Sequence, residues 1–351
     1  MMGKKRIAVL QTQCPFMRGG AELLVEGLAK QLRNRGYETE IVSMPFKWYP
    51  ENVLLDQFLM WRMVDLTQSN GQPIDLVIAN KVPNYMIQHP NKVLWLMHQH
   101  RVAYDLKDNV GAAGLNTTPK GKKTIDAIVR MDNIAIAECK DVYTISKTVT
   151  ERLDHYNNIK STPLYHPPAL EGQYYTEDYG DYVLSVGRLD PNKRIDLLIR
   201  ALPYCDSGIK AVIAGTGAIR GKLEKLAEDL GVRDRVKFMG FVSDKDLLAL
   251  YANALAVVFP PIDEDYGYIT LEAFLSKKPV ITCCDSGGVL EFVKNNQSGN
   301  ICNVSPEEIG AAVNKFYNDK KMAKEYGEAG YESVKDIKWD CVIDELTKTI
   351  R

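Results

Sequence analysis

The sequence predicts an α/β protein made of two doubly wound domains with mainly parallel sheets. Three observations support this prediction. The chain has 351 residues, more than one hydrophobic core usually organises. Short stretches rich in Val, Ile and Leu alternate with helical patterns along the whole chain. The alternation stops once, at Tyr165-His166-Pro167-Pro168 and a following polar loop, and then restarts, so we place the domain boundary there.

Five strands are predicted in the first half of the chain. They are apolar on both faces, as expected for parallel strands covered by helices on both sides. After the first strand, an apolar stripe that includes Leu24 and Leu28 predicts a helix over residues 21–35, and Gly36 is typical of a helix end. The predicted strands cover residues 6–11, 38–43, 74–79, 93–97 and 142–145.

The second half repeats this alternation without repeating the sequence. In doubly wound sheets, ligands bind at the carboxyl ends of the strands. Two such domains are expected to face each other across a cleft, so the residues that directly follow strands are the candidates for function. The predicted strands cover residues 182–186, 210–214, 236–239, 256–259 and 280–283.

Composition argues against several functional classes. The net charge is −1, from 44 basic and 45 acidic residues, so no overall field attracts nucleic acid. No apolar run approaches the roughly 18 residues that span a membrane, and the first apolar run is too short for a signal peptide. The seven cysteines form no C-x-x-C motif, which favours a reducing cytoplasm without structural zinc. We expect a cytoplasmic protein without a metal or another resident cofactor.

The strongest chemical signal follows the predicted strand 256–259. Glu264 lies in a loop before a helix that is predicted to begin near Tyr268, and Glu272 lies about one turn inside that helix. Free backbone N–H groups at a helix start suit an anionic ligand. A carboxylate that accepts two hydrogen bonds suits a vicinal diol of ribose or sugar. A solvated acidic loop followed by a surface glutamate fits the same spacing equally well.

A second signal follows the predicted strand 182–186. Gly187 allows a tight turn at the strand end, and Arg188 and Lys193 follow it. A nucleoside diphosphate carries two to three negative charges, so two fixed cations are what its binding requires. An ordinary exposed basic loop is the alternative interpretation.

Glycine turns follow other predicted strands. Gly19-Gly20 comes after the first strand, at a helix start, where backbone N–H groups face a phosphate or sugar oxygen. Ala214-Gly215-Thr216-Gly217 and Ser286-Gly287-Gly288 follow strands of the second half. Taken singly, each also fits a simple tight turn. Neither Gly19-Gly20 nor Gly215-Thr216-Gly217 belongs to a G-x-G-x-x-G motif, which argues against a typical dinucleotide-binding fold.

Two histidines follow the predicted strand 93–97. The strand delivers His98 to its carboxyl end, where an imidazole donates a hydrogen bond to a sugar hydroxyl or positions a proton. His100 competes for the same role. For either residue, a structural histidine with satisfied hydrogen bonds is the alternative.

Together these segments resemble the retaining glycosyltransferases of family 4, which have the GT-B fold of two Rossmann-like domains. The resemblance runs from Arg18-Gly19-Gly20-Ala21-Glu22 to Glu291 and is densest over residues 182–299. Six motifs occur there in the family's order and spacing, which makes the resemblance specific. They are Val186-Gly187-Arg188-Leu189 with Lys193, Ala214-Gly215-Thr216-Gly217, residues 236–242, the Glu264/Glu272 pair, Lys278-Pro279-Val280-Ile281 and Gly287-Gly288.

The resemblance implies roles for the charged residues. Arg188 and Lys193 would hold the diphosphate of a nucleotide-sugar donor, and Glu272 would bind its ribose hydroxyls. Glu264 would bind the transferred sugar, and His98 would lie over that sugar at the reacting face. His98, Arg188, Lys193 and Glu264 are therefore the predicted catalytic residues.

The resemblance also implies donor contacts, largely made by the backbone. Gly19 and Gly20 would approach the donor from the first domain, and the base would be held near Phe238 and Gly240. The amides of residues 267–270 would touch sugar and phosphate. The other predicted donor-binding residues, besides Glu272, are Gly187, Gly215, Tyr266, Gly267, Tyr268, Ile269 and Thr270.

The activity that the resemblance implies is that of a metal-independent, retaining hexosyltransferase. It would move a sugar from a UDP- or GDP-linked donor to a glycan or lipid-linked acceptor in polysaccharide or glycoconjugate biosynthesis. Residues 1–168 would form the acceptor-side domain and residues 169–336 the donor-binding domain. A helix at about residues 337–351 would pack back on the first domain.

Segment 101–123 contains Tyr104, Asp105 and several lysines, and is a candidate acceptor or membrane-facing element. It suggests peripheral association with the inner face of the membrane, whereas a flexible surface loop is at least as compatible with its composition. Two positions depart from the family pattern and bear on donor choice. Arg194 stands where the family often has Gly, and Pro260-Pro261 where it often has Pro-Ser.

Three alternatives stay open. One is a nucleotide-sugar epimerase of the same fold, and another is a non-catalytic sugar-nucleotide-binding protein. The third is a metal-dependent transferase, since Asp263-Glu264-Asp265 spells D-x-D. We disfavour the third because a single-domain metal-dependent fold would not explain the second half of the chain.

Overall fold

The computed structural model describes residues 4–48, 50–106 and 115–351. It divides the chain into two compact units. The first comprises Met1–Ala169 with Lys338–Arg351, and the second comprises Leu170–Ile337. Residues 107–114 of the candidate acceptor segment lie outside the described residues.

The first unit contains a six-stranded parallel sheet. Its strands are β1 (Arg6–Gln13), β2 (Glu38–Pro45), β5 (Leu76–Ala79), β6 (Lys92–Leu96), β7 (Asp141–Thr144) and β8 (Thr162–Pro163). A separate antiparallel hairpin is formed by β3 (Gln68–Ser69) and β4 (Gln72–Pro73). The order in the sheet is β2-β1-β5-β6-β7-β8, with every neighbouring pair parallel. The carboxyl ends of these strands therefore meet at one edge, where the sequence places Gly19 and His98.

Helices link the strands of the first unit. They are α1 (Gly20–Asn34), α2 (Glu51–Met63), α3 (Pro119–Ala137) and α4 (Lys147–Asn157). The predicted stripe of α1 is buried at Leu24 and Leu28. The Gly19 N–H donates to the Glu22 carboxylate at 2.8 Å at the start of α1, and Gly36, with φ +90°, follows its end. The termini of α1 are thus satisfied by the capping chemistry that its sequence predicts.

The second unit contains a second six-stranded parallel sheet. Its strands are β9 (Tyr182–Val186), β10 (Lys210–Ala214), β11 (Val236–Gly240), β12 (Ala256–Val258), β13 (Val280–Cys283) and β14 (Gly299–Cys302). Their order is β11-β10-β9-β12-β13-β14, again with every neighbouring pair parallel. The order reverses between β9 and β12, and ligands of doubly wound sheets bind at such a switch point.

Two glycines allow one helix of the second unit, α10, to pack closely on another, α8. The helices are α5 (Ile195–Ala201), α6 (Arg220–Asp229), α7 (Asp244–Asn253), α8 (Tyr268–Leu275), α9 (Pro306–Asn318) and α10 (Lys320–Val334). A Cβ added at Gly330 of α10 would lie 2.2 Å from Phe274 of α8, and one at Gly327 would lie 1.9 Å from the Lys277 carbonyl. The absence of side chains at these glycines lets α10 pack closely on α8, which carries Glu272.

The last helix, α11 (Trp339–Thr347), belongs to the first unit. Its Trp339 ring meets Trp95 of β6 edge-on, with 6.3 Å between centroids. A Cβ at Gly27 of α1 would lie 3.0 Å from Trp339, so glycine makes room for the indole. The Tyr143 hydroxyl donates to Glu345 at 2.7 Å. Aromatic packing and this bond fix the C-terminal helix on the first sheet.

The predicted fold class is confirmed, and the strands differ from prediction mainly at their ends. The strand predicted at 93–97 is Lys92–Leu96, because Lys92 is buried and its ammonium donates to three backbone carbonyls at 2.9 Å. Strands β3, β4, β8 and β14 were not predicted, because they are short or carry few apolar residues. Among the described residues, no helix combines the length and apolar character needed to cross a bilayer.

Candidate active site

Lys193 and Glu264 meet at the carboxyl edge of the second sheet. Lys193 ends a short turn after β9, and Glu264 lies in the loop after β12, so the two strands of the switch point deliver them. The Lys193 ammonium donates to the Glu264 carboxylate at 2.5 Å. Their side chains are only 15% and 22% exposed. The structure therefore brings together a predicted phosphate-binding cation and a predicted sugar-binding carboxylate as an ion pair.

Arg188 lies on the same loop but is more open to solvent. Its guanidinium is 3.4 Å from the Asp190 carboxylate, and its side chain is about half exposed. Arg194, one residue after Lys193, is instead held by the Asp285 carboxylate in a bidentate pair. That pair raises the pKa of Arg194 and lowers the pKa of Asp285. The departure at Arg194 thus adds an ion pair that joins the loop after β9 to the loop after β13, while Lys193–Glu264 joins it to the loop after β12.

Three glycines at adjacent strand ends pack against one another. Gly187 has φ +129°, Gly215 has φ +147° and Gly240 has φ +68°, a region that favours glycine. The Gly187 N–H donates to the Ala214 carbonyl, and the Gly215 N–H donates to the Gly240 carbonyl. A Cβ at Gly215 would lie 1.8 Å from the Gly187 carbonyl oxygen. The ends of β9, β10 and β11 therefore form a backbone surface that side chains would obstruct.

The start of α8 follows the predicted position. Gly267 is the N-cap, with φ +81°. A Cβ at Gly267 would lie 2.9 Å from Val289, which is another reason for glycine there. The Thr270 N–H already donates to the Gly267 carbonyl at 2.9 Å. Of the predicted amides of residues 267–270, that of Thr270 is thus engaged within the first turn.

Tyr266 has a structural side chain. It is buried, and its ring meets those of Tyr268 and Phe292 edge-on at 5.4 and 5.6 Å. These contacts hold the loop that carries Glu264 against α8.

Glu272 is held by a phenol. It is partly buried on α8, and its Oε2 accepts a hydrogen bond of 2.6 Å from the hydroxyl of Tyr251, which is fully buried on α7. Burial raises the pKa of the Glu272 carboxyl, while the hydrogen bond from Tyr251 and the nearby Tyr174 hydroxyl act in the opposite direction. The sequence left open a diol-binding carboxylate or a solvated surface glutamate at position 272. This environment does not fit a freely solvated surface glutamate.

The predicted base-binding region lies at the end of β11. Phe238 is partly buried, with the guanidinium groups of Arg220 and Arg233 at 6.0 and 5.9 Å from its ring centroid. Phe241 is 88% exposed directly after Gly240. The Arg220 guanidinium would lie 3.5 Å from a Cβ at Gly240. Arg220 therefore borders this region, although the sequence analysis did not identify it.

His98 and His100 have different environments at the carboxyl edge of the first sheet. His98 is partly exposed, and its Nδ1 lies 2.7 Å from the Gln99 carbonyl oxygen. His100 is 1% exposed, and burial lowers its pKa to about 4. Neither ring nitrogen of His100 has a hydrogen-bond partner among the described residues. Accessibility therefore favours His98 as the histidine that a ligand reaches.

An aromatic ring and a lysine accompany the histidines. Trp48 lies 6.1 Å from His98 and 5.3 Å from His100, measured between ring centroids. The ammonium of Lys81, which follows β5, lies 5.5 Å from the Trp48 centroid. Neither Trp48 nor Lys81 was identified from the sequence, because neither belongs to a recognised motif.

Gly19, at the N-cap of α1, and Gly20, its first residue, lie after β1.

Two doubly wound units, each built on a six-stranded parallel sheet, define a two-domain protein of the GT-B fold class. Solved structures with this fold include sucrose-phosphate synthase from Thermosynechococcus elongatus, with a TM-score of 0.78 and 17% identity over 98% of each chain. Anabaena HepE in complex with UDP and glucose has a TM-score of 0.71 and 16% identity, over 98% of this chain and 99% of that one.

Sequence comparisons give the family. The model for glycosyl transferases group 1 matches residues 175–333. Glycosyltransferase MJ1607 of Methanocaldococcus jannaschii, itself uncharacterized, is 35% identical over 96% of this chain and 95% of its own length. A GDP-mannose-dependent phosphatidylinositol monomannoside mannosyltransferase of Mycobacterium tuberculosis is 34% identical over 48% of this chain and 47% of its own. The chain belongs to the group 1 glycosyl transferases.

Proposed function

We propose that this glycosyltransferase is a metal-independent, retaining hexosyltransferase that uses a UDP- or GDP-linked sugar. The observation that carries the proposal is the Lys193–Glu264 pair at 2.5 Å, beside the glycines that end β9, β10 and β11. A diphosphate leaving group gains negative charge as the sugar departs, and fixed cations at that position stabilise the charge. Lys193 and Arg188 are the cations that would stabilise this charge.

The two glutamates bind hydroxyl groups in this proposal. Glu264 accepts hydrogen bonds from the transferred sugar while Lys193 shifts toward the phosphate. Glu272 accepts hydrogen bonds from the ribose. Each carboxylate is restrained by a neighbouring side chain, Lys193 in one case and Tyr251 in the other. That restraint suits positioning better than nucleophilic attack on the anomeric carbon.

Metal independence is supported by the charges around Glu264. Among the described residues, no group of three or more His, Cys, Asp or Glu side chains is arranged to hold a metal ion. The middle residue of Asp263-Glu264-Asp265 is paired with Lys193, which disfavours a divalent cation at that carboxylate. In the proposed mechanism, Lys193 and Arg188 take the role that a metal has in metal-dependent transferases.

We propose a lipid-linked or glycan acceptor and peripheral membrane association through the first unit. Helices α2 and α3 pack side by side, with ion pairs Glu51–Lys120 near their starts and Arg62–Glu138 near their ends. Their outer surfaces expose apolar and basic side chains together, a combination that suits an anionic bilayer surface. The exposed apolar and basic residues are Leu59, Met60, Met63, Lys120, Lys122, Lys123, Arg130 and Ile134, and Asp56 and Asp126 are exposed on the same helices.

A donor screen followed by an activity assay tests the function. UDP- and GDP-linked hexoses are added singly, and the thermal unfolding midpoint is recorded, because a ligand of the native state raises it. The donor with the largest shift is then incubated with a lipid extract, with and without chelator, and release of nucleoside diphosphate is measured. We expect acceptor-dependent release that survives the chelator. Release that is equal with and without acceptor, or that requires added manganese, would contradict the proposal.

Vesicle flotation tests the membrane proposal separately. We expect binding to vesicles that contain anionic lipid and much weaker binding to neutral vesicles. A Leu59→Ser/Met63→Ser variant is expected to lose most of the binding, whereas Phe241→Ser, which removes an exposed ring from the second unit, keeps it. Equal binding of all three proteins would contradict membrane association through α2.

A further inference from the structure

Two tyrosine side chains converge on Glu272 within the second unit. The Tyr251 hydroxyl donates to Glu272 Oε2 at 2.6 Å. The Tyr174 ring meets the Tyr251 ring edge-on, with 6.3 Å between centroids. The Tyr174 hydroxyl is close enough to the Glu272 carboxylate to lower the pKa of that carboxyl. Its oxygen is nevertheless buried without a hydrogen bond of normal geometry to any residue that the structure describes.

We propose that Tyr251 and Tyr174 are positioning residues that hold the Glu272 carboxylate for a vicinal diol of the donor's ribose. Tyr251 occupies one oxygen and leaves Oε1 to accept from the diol. Tyr174 completes the restraint by turning its hydroxyl to the carboxylate or to a ribose hydroxyl. The inference rests on the proposed function, because that function gives Glu272 its ribose.

The backbone around both tyrosines is fixed, which a positioning role requires. Tyr174 belongs to the segment 170–180 that leads into β9. Two backbone hydrogen bonds connect this segment to the end of α7, close to Tyr251. The Glu177 N–H donates to the Ala252 carbonyl at 2.9 Å, and the Gly180 N–H donates to the Asn253 carbonyl at 3.1 Å. One set of backbone bonds therefore fixes both phenols relative to each other.

A second set of bonds ties the same segment to the end of α8, which carries Glu272. The Tyr179 hydroxyl donates to the Lys277 carbonyl at 2.6 Å, and the Lys278 ammonium donates to the Asp178 carbonyl at 2.5 Å. The Lys278 ammonium also lies 3.8 Å from the Tyr179 ring centroid. Both phenols and the carboxylate thus belong to one rigid assembly within the second unit.

The hydrogen-bond chemistry favours a ligand in this place. A buried hydroxyl without a partner is costly, so the Tyr174 oxygen is expected to gain a partner when the site is filled. Burial raises the pKa of Glu272, and phenol donors favour its ionised form, the one that accepts hydrogen bonds from both diol hydroxyls. Among the described residues, burial and the Glu272 carboxylate raise the pKa of Tyr268, and burial, Glu272 and Asp244 raise the pKa of Tyr174.

The test compares two tyrosine variants and a matched control on donors with and without the diol. The variants are Tyr251→Phe and Tyr174→Phe. The control is Tyr182→Phe, since the Tyr182 hydroxyl in the same unit donates at 2.6 Å to a backbone carbonyl, that of Leu250. Calorimetry measures the binding of UDP and GDP and of their 2′,3′-dideoxy counterparts, and kinetics measure KM and kcat for the active donor.

We expect Tyr251→Phe to weaken binding of the preferred diphosphate, and to raise the donor KM, by about tenfold, with kcat changed less than about threefold. We expect a smaller effect of Tyr174→Phe in the same direction. With the dideoxy nucleotides, both effects should fall below about twofold, because the diol that Glu272 holds is missing. The control should bind all nucleotides like the wild type.

Equal losses on diol-containing and dideoxy nucleotides would overturn the inference, as would wild-type affinity in both variants. If Tyr251→Phe does not fold, Tyr174→Phe decides the matter alone, since its hydroxyl has no described hydrogen bond to lose. A wild-type protein that binds nucleotide but transfers no sugar would overturn the proposed function, while the comparison of nucleotides still decides this inference. Binding of neither UDP nor GDP would overturn both.

Discussion

Lys193 and Glu264 are 71 residues apart in the chain, yet their side chains form a hydrogen-bonded ion pair of 2.5 Å. The proposed function gives them different ligands, phosphate for the lysine and sugar for the glutamate. Both groups are mostly buried, so each neutralises the other in a place with little water. In the proposed function, a diphosphate therefore competes with Glu264 for Lys193, and we expect binding of the donor to be coupled to rearrangement of this pair.

The cations are expected to dominate turnover. We predict that Arg188→Ala or Lys193→Ala lowers kcat by roughly 10²–10³, the effect of removing one charged donor from a developing anion. Steady-state release of nucleoside diphosphate measures it, and circular dichroism verifies the fold. Normal turnover in a folded double variant would remove both residues from the site.

Glu264→Gln should separate binding from chemistry. The substitution removes the carboxylate that competes with phosphate for Lys193, so we predict about fivefold tighter binding of UDP or GDP, as expected from losing a partly exposed ion pair. Turnover should fall, because the amide no longer accepts the sugar's hydrogen bonds as strongly.

Calorimetry and steady-state kinetics measure the two quantities. The matched control is Asp285→Asn, which breaks the neighbouring pair with Arg194 and should leave nucleotide affinity within about twofold, as expected for an ion pair with one exposed partner. Weaker nucleotide binding by Glu264→Gln would contradict competition for Lys193.

Most of the fold follows from the sequence because the central strands are apolar on both faces. The strands at Tyr182–Val186, Lys210–Ala214 and Val280–Cys283 lie where the pattern predicts them. The missed strands of the two large sheets, β8 and β14, lie at sheet edges and show little apolar pattern, whereas the edge strands β2 and β11 were predicted. β14, for example, reads Gly-Asn-Ile-Cys, so little apolar pattern marks it.

The charged residues of the candidate site could be proposed from the sequence, but the side chains that contact them could not. Motifs identified Glu272 and Lys193, whereas Tyr251 on α7 has the spacing of an ordinary core residue. Its role depends on the contact between its hydroxyl and a carboxylate on another helix. Residue spacing within one helix cannot predict a contact between two helices. Trp48 was missed similarly, because only the fold places it beside His98.

Donor affinity should depend on pH through Glu272. Burial raises the pKa of its carboxyl above the usual 4.5 despite the hydrogen bond from Tyr251 and the nearby Tyr174 hydroxyl. Since the ionised form binds the diol, we predict that kcat/KM for the donor falls as pH drops through this raised pKa. In Glu272→Gln this acidic decline should be absent, with kcat/KM about tenfold lower at pH 8. A pH–rate profile checks this, and an unchanged decline in the variant would assign it to another group.

Stability should depend on pH through Asp132 in the first unit. Its carboxylate is fully buried on α3 and accepts from the hydroxyls of Tyr85 and Tyr104 at 2.8 and 2.6 Å. Burial raises its pKa from 3.8 to about 7. The folded state therefore binds the proton more tightly than the unfolded state, and this contribution to stability is lost as pH rises from about 4 to about 7.

We predict that Asp132→Asn becomes more stable relative to the wild type as pH rises, by on the order of 2–4 kcal/mol between pH 4 and pH 8. Denaturant unfolding at several pH values measures the difference. Asp126→Asn, at an exposed position of the same helix, should show no such trend. A constant difference between Asp132→Asn and the wild type would show that Asp132 does not titrate in this range.

The reaction should retain the anomeric configuration of the donor. Double displacement needs a nucleophile on the sugar face opposite the leaving group. The carboxylates of Glu264 and Glu272 are instead restrained by Lys193 and Tyr251, in positions proposed to bind hydroxyl groups. Attack on the same face is the remaining route to retention. There the departing phosphate, stabilised by Lys193 and Arg188, takes the proton of the incoming acceptor hydroxyl.

That route depends on cations and positioning more than on a dedicated base. It predicts that Lys193→Ala affects kcat more strongly than Glu264→Gln, because the lysine acts on the charge that develops at the leaving phosphate. Proton NMR of the product formed from an α-linked donor decides the stereochemistry: an α-glycoside is expected. A newly formed β-linkage would contradict both same-face attack and a retaining mechanism, and would require a base placed to activate the acceptor from the opposite side of the sugar.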